Sequence, residues 1–143
     1  MLREIVVELL RQLNNIGVRR VSRTKIMKLL YLIDRECRIK LHSSCTGIKW
    51  ILWWHGPFSR KVLDVLDELE LVGVVDSKIL DYGDYVAIEY MLTNPYYKVQ
   101  LNDKVKHIIE DVVRRWGKQD LKKILEYVYD LPEVREAGLG DEL

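Results

Sequence analysis

Phenylalanine occurs once in these 143 residues, cysteine twice, and proline and histidine three times each. Cys37 and Cys45, with His42 the only histidine between them, are too few for a four-ligand structural zinc site. In a reducing compartment two such thiols read as unpaired. No apolar run approaches the ~18 residues of a membrane span, and Met1-Leu2-Arg3-Glu4 lacks the layout of a signal peptide. The expectation is therefore a cytoplasmic protein with no membrane partner. No Walker loop, glycine-rich dinucleotide turn or metal box is present, so no cofactor and no metal are expected. Ser43 and Ser44 lie near His42 in sequence, but adjacency is not a nucleophile–base–orienter arrangement. His55 reads as a core histidine and His107 as a solvated one, so the chain reads as no enzyme.

What is present describes a folded protein: 48% hydrophobic residues, 31% charged, eight tyrosines and four tryptophans. Aromatics with a polar handle suit half-wet surfaces and interfaces. The net charge of +1 conceals two unlike halves. Residues 1–61 carry 13 Lys/Arg against 4 Asp/Glu, a balance of +9; residues 62–143 carry 10 against 18, a balance of −8. Such halves attract one another, and the basic one could also meet nucleic acid.

Leu2, Ile5, Val6, Leu9, Leu10 and Leu13 recur at helical spacing, stopped by Gly17. Val18–Val21 reads as an extended link. Ser22 is a fitting N-cap for a second helix, whose Ile26, Leu29, Leu30, Ile33 and Cys37 stripe is widened by Met27, Tyr31 and Leu32. A helix apolar over so much of its circumference belongs at the centre. Ile48–Trp54 reads as one short buried strand, broken by His55-Gly56-Pro57. A third helix follows, opened by Ser59 or Pro57, with Val62, Leu63, Leu66 and Leu69 inside and Asp64, Asp67, Glu68 and Glu70 outside. Residues 74–92 alternate as a β-hairpin around Asp81-Tyr82-Gly83-Asp84. Two further helices run from Asn102 or Asp103 to Trp116 and from Gln119 to Asp130. The pattern predicts a mainly helical α+β domain over residues 1–132, with about five helices around a central one, one hairpin and a winged-helix-like element. Residues 133–143 read as an acidic, flexible tail.

The helix–helix–helix–hairpin order makes a winged-helix DNA-binding regulator the competing reading, with Arg19, Arg20, Arg23, Lys25 and Lys28 as phosphate contacts. Against it, helices two and three are about 15 residues apart where a helix-turn-helix has a turn of 3–4. The third helix also carries mostly acids.

Lys28-Leu29-Leu30-Tyr31-Leu32-Ile33-Asp34, the aromatic stretch running into His55-Gly56-Pro57-Phe58-Ser59, and the helix ending Leu71-Val72-Gly73-Val74-Val75 together resemble the Panacea domain of SocA-like antitoxins. The resemblance spans roughly residues 20–130. It implies a module that neutralises a partner protein or delivers it elsewhere by protein–protein contact, in a toxin–antitoxin-type system. Leu29 and Leu30 then read as core, and Gly56-Pro57 as the bend that aims the third helix. Lys28, Tyr31, Asp34 and Ser59 become the partner-binding candidates. A protein partner is implied first; nucleic acid is the rival, and a homodimer is compatible with either.

Overall fold

The computed structural model describes residues 1–143. In chain order the elements are α1 (Leu2–Asn15), β1 (Arg20–Ser22), α2 (Arg23–Leu41), β2 (Ile51–Trp53), β3 (Gly56–Phe58), α3 (Arg60–Leu71), β4 (Val75–Asp81), β5 (Val86–Leu92), α4 (Asp103–Trp116), α5 (Leu121–Tyr129) and α6 (Pro132–Arg135). The fold is α+β and mainly helical, as the periodicity predicts, with α6 in addition.

Side-chain caps start the helices where the sequence places them. Ser22 accepts from the Lys25 amide, Ser59 from Lys61, Asn102 from Val105 and Asp120 from Lys123. Each satisfies an amide that the first helical turn leaves without a partner. At the end of α3, Gly73 takes φ 77°. The Val74 amide then reaches Leu69 O at 2.9 Å and the Gly73 amide reaches Glu70 O at 3.1 Å. This Schellman turn sends the chain directly into β4.

Helix α2 is the post around which the rest is built. Its residues from Ile26 through Asp34 are all buried, as is Cys37. It touches α4 and α5 on one side, β3 on another, and β1 and β5 near its start. One core of 34 buried residues runs from α1 through α2 to α4, α5 and Val134.

Two β-elements depart from expectation. Val18–Val21, read as a link, supplies strand β1, which pairs antiparallel with β5 (Val21 opposite Tyr90). The three-stranded order is β1-β5-β4, so β4 is a free edge. This helix–strand–helix–helix–hairpin arrangement is winged-helix-like, with residues 42–59 inserted between α2 and α3. The insertion itself folds into a second hairpin, β2–β3, with Leu52 opposite Pro57 and Trp53 opposite Gly56. Gly56-Pro57 is thus a strand and not the bend itself; proline is admitted because a two-stranded ribbon leaves one edge of β3 without ladder partners. Trp50 is fully buried, but Trp53 and Trp54 stand exposed at the hairpin's turn.

The acidic tail is held in place. The Leu52 amide donates to Asp141 O at 2.9 Å, the Gly140 amide to Leu52 O at 2.7 Å and the Leu143 amide to Trp50 O at 2.9 Å. Residues 140–143 therefore lie along β2, and Val134 enters the core. Tail composition favoured fraying, but the open edge of β2 offers backbone partners that composition does not reveal.

Candidate functional site

The four residues expected on a partner surface, Lys28, Tyr31, Asp34 and Ser59, are all buried. Each has a hydrogen-bond partner inside the fold. Asp34, 1% exposed, gathers the 42–50 loop. Its Oδ1 accepts from Ser44 Oγ (2.7 Å), the Cys45 amide (3.0 Å) and the Thr46 amide (3.1 Å), and its Oδ2 accepts from Trp50 Nε1 (2.9 Å). Burial pushes its carboxyl upward, but the hydrogen bonds from Ser44, Trp50 and Thr46 outweigh burial and hold it below the usual carboxylate range.

Tyr31 packs edge-on against the Trp50 ring, with centroids 5.4 Å apart. Its hydroxyl donates to Glu133 Oε2 at 2.9 Å, and Arg35 donates to both oxygens of the same carboxylate at 2.7 and 3.3 Å. Burial raises the Tyr31 hydroxyl's pKa and the Glu133 bond raises it further. Glu133, assigned by composition to a loose tail, is instead the clasp between α2 and α6. Ser59 is the α3 cap already described.

Lys28 is the anomaly. Only 2% exposed, it runs under the β2–β3 hairpin and donates from Nζ to Pro57 O at 2.8 Å. No carboxylate acts on it, and burial alone lowers its pKa to about 8. Gly56 makes room for it: at φ 96° a Cβ there would sit 3.2 Å from Lys28 Cε. Leu29 and Leu30 are fully buried core, as read from the pattern.

The five basic residues proposed for phosphate differ in burial and in partners. Lys28 is enclosed. Lys25 donates to Gly117 O (2.7 Å) and Gln119 O (3.1 Å), tying α2 to the α4–α5 junction. Arg23 donates to the Tyr90 hydroxyl from Nη2 (2.6 Å) and Nε (3.2 Å). Of the five, only Arg19 and Arg20 are exposed. No group of three or more His, Cys, Asp or Glu side chains is placed to hold a metal ion. Cys37 and Cys45 are free thiols, one buried and one half-buried. No helix is long and apolar enough to cross a membrane.

The sequence reading missed the surface formed by the end of α3 and the β4–β5 hairpin. Register places Ile79 opposite Ile88 and Asp81 opposite Val86, on the sheet face that carries Val75 and Tyr90 into the core. Beyond the body, nothing covers that face. Ile79 is 69% exposed and Val86 is exposed beside it; Leu71, 86% exposed, and Val72 follow at the α3 terminus. Tyr82 and Tyr85 stack at the tip with centroids 4.9 Å apart. Between positions 64 and 84 the acids are Asp64, Asp67, Glu68, Glu70, Asp76, Asp81 and Asp84, against the single cation Lys78. The available signal was the length of the alternation: β5 runs seven residues, while β1 covers three of them.

No curated protein and no solved structure matches the chain. Residues 26–133, from the first turn of α2 to the start of α6, match the family described as antitoxin SocA-like, Panacea domain. With the match covering the central helix, both hairpins and the closing helices, the chain belongs to the SocA-like antitoxin family of Panacea domains.

Proposed function

We propose that this protein is a non-enzymatic antitoxin-like module that binds and neutralises a partner protein through the face made by the end of α3 and the β4–β5 hairpin. The family supports a role of toxin–antitoxin type. The observation that carries the surface assignment is the exposure of Leu71 and Val72 at the end of α3 and of Ile79 and Val86 on the adjoining hairpin, in a segment rich in acids with one lysine. Isolated exposed apolar residues are ordinary, but several large ones on adjoining elements amid charge of one sign favour an interaction site. A basic partner fits it by charge, and the free β4 edge offers main-chain hydrogen bonds to an added strand. The residues of the Lys28–Asp34 motif then act as the frame that holds α2, the insertion and α3 together.

The test is co-expression with the reading frame beside this protein's gene. Growth arrest by that neighbour alone, relieved by the wild-type chain but not by a Leu71→Asp/Ile79→Asp double variant, is the expected result. Because both side chains are exposed, the variant should melt like the wild type. Relief by the variant would remove the function from this face. A concentration-dependent dimer abolished by the same changes would assign the face to a second copy of the chain.

A further inference from the structure

A second feature stands apart from the α3–wing face. Between the first turns of α2 and the β2–β3 hairpin lies a cavity of about 230 Å3 whose walls include Lys28, Arg23, His55, Trp53, Phe58 and Met27. No acidic side chain lines it. A buried ammonium ordinarily has a carboxylate beside it, because taking a charge out of water is costly unless it is paired. Lys28 has only one carbonyl, Pro57 O, for its three N–H donors. Arg23 commits Nε and Nη2 to Tyr90 and keeps Nη1 without a protein acceptor. Trp53, 43% exposed, and Phe58 on the hairpin, with Met27 and Leu63 on the helices, supply the apolar lining. The pocket therefore combines unpaired positive charge with an adjoining flat apolar surface.

We propose that this pocket binds a carboxylate carried on an aromatic or large aliphatic group, with Lys28 and Arg23 taking the anion and Trp53 and Phe58 taking the apolar part. The charge count favours a monoanion. A phosphate dianion would bring more desolvation than one enclosed ammonium and a half-committed guanidinium offset. The volume suits a ligand of amino-acid size. That chemistry has two sources, a free small acid or the C-terminal residue of a peptide chain.

The experiment is titration of the full ¹⁵N-labelled protein with N-acetylphenylalanine, its amide, inorganic phosphate, and a hexapeptide ending in phenylalanine with a free carboxyl. The expected result is saturable shifts of the Gly56 and Phe58 amides by N-acetylphenylalanine at roughly millimolar concentration, as fits a ligand of this size. The amide should bind at least about tenfold more weakly, the usual value of a charge-assisted pair. Tighter binding of the hexapeptide assigns the site to a chain terminus; equal binding assigns it to a free acid. Lys28→Met should abolish the shifts. Trp53→Ala, a change at an exposed position, should weaken binding several-fold without unfolding the chain, and so serves if the lysine variant does not fold. Equal binding of acid and amide, stronger binding of phosphate, or no shift at Gly56 and Phe58 overturns the proposal.

Discussion

The Trp50 indole donates to Asp34 Oδ2 at 2.9 Å, both residues essentially closed to solvent. The bond fastens the inserted hairpin to the central helix. It is one of five that Asp34 receives, and the others come from the loop leading to Trp50. Removing the carboxylate orphans two backbone amides and an indole N–H at once. Asp34→Ala is therefore expected to destabilise the protein by about 3–5 kcal/mol, the range for breaking a buried charged network by deleting one member. Asp34→Asn keeps the shape, retains part of the acceptor capacity and should cost less. Urea unfolding monitored by tryptophan fluorescence measures both, and equal stability of all three proteins would show that the network contributes nothing.

Acid should act through the same group and its neighbour. Asp34 and Glu133 are both held below the usual carboxylate range in the fold. For a depressed acid, the stabilisation is fully present above the unfolded-state pKa of about 4 and is lost as pH falls through the lower folded value. Wild-type stability should therefore decline steeply below about pH 4. In Asp34→Asn and Glu133→Gln variants, the decline should be shallower. Unfolding free energies at pH 7 and at steps down to pH 2.5 give the comparison.

Much of this architecture was legible because local chemistry and packing agreed. Ser22, Ser59 and Asn102 cap helices, Gly73 turns α3 into β4, and the width of the apolar stripe on α2 announced its central place. The misread parts are those decided by long-range pairing. Nothing within Val18–Val21 indicates that Tyr90, nearly seventy residues on, will pair with it. Nor does the acidic composition of the last residues reveal that the edge of β2 is open to them. At the site, Lys28, Tyr31 and Asp34 carry polar groups and so read as surface. Their partners (Pro57 O, Glu133 and the Trp50 indole) come from three separate segments, and only the assembled fold shows that they are satisfied inside.

Deleting residues 138–143 should expose that dependence. The loss removes three backbone hydrogen bonds to Trp50 and Leu52. It also leaves β2–β3 as a two-stranded ribbon, which is marginal without further support. Helix α6 and the Glu133 clasp remain, so the domain should still fold. Faster amide exchange at Leu52, with a fall of a few degrees in Tm, is the expected outcome. Unchanged protection there would mean that α2 alone holds the hairpin.

Lys28 gives an effect of opposite sign to the carboxylates. Its folded-state pKa is lowered to about 8 from 10.5. Between those values the unfolded chain holds a proton that the folded chain has released, so stability rises with pH over that window and Lys28 adds no slope below it. The ionisable groups facing it from the cavity walls are Arg23 on α2 and His55 on the hairpin, and no carboxylate opposes the shift. The difference in unfolding free energy between wild type and Lys28→Met should be flat to about pH 8 and then grow in favour of wild type. The other lysines and the tyrosines titrate in both proteins and cancel. Absence of that slope would place the ammonium in contact with water.

DNA binding provides the sharpest contrast between the winged-helix-like topology and the charges it carries. In that topology α3 would lie along the duplex, yet Asp64, Asp67, Glu68 and Glu70 occupy its exposed positions, with Arg60 and Lys61 confined to its first turn. Phosphate contacts supply most non-specific affinity, and an acidic helix face works against them. Of the basic residues near β1, only Arg19 and Arg20 are free to help, too few to offset four acids. The protein should therefore leave duplex DNA unshifted in a gel even at about 50 mM salt, where electrostatic binding is strong. A shift at that salt, lost in an Arg19→Glu/Arg20→Glu variant, would restore the nucleic-acid reading and move the contact from α3 to the β1 edge.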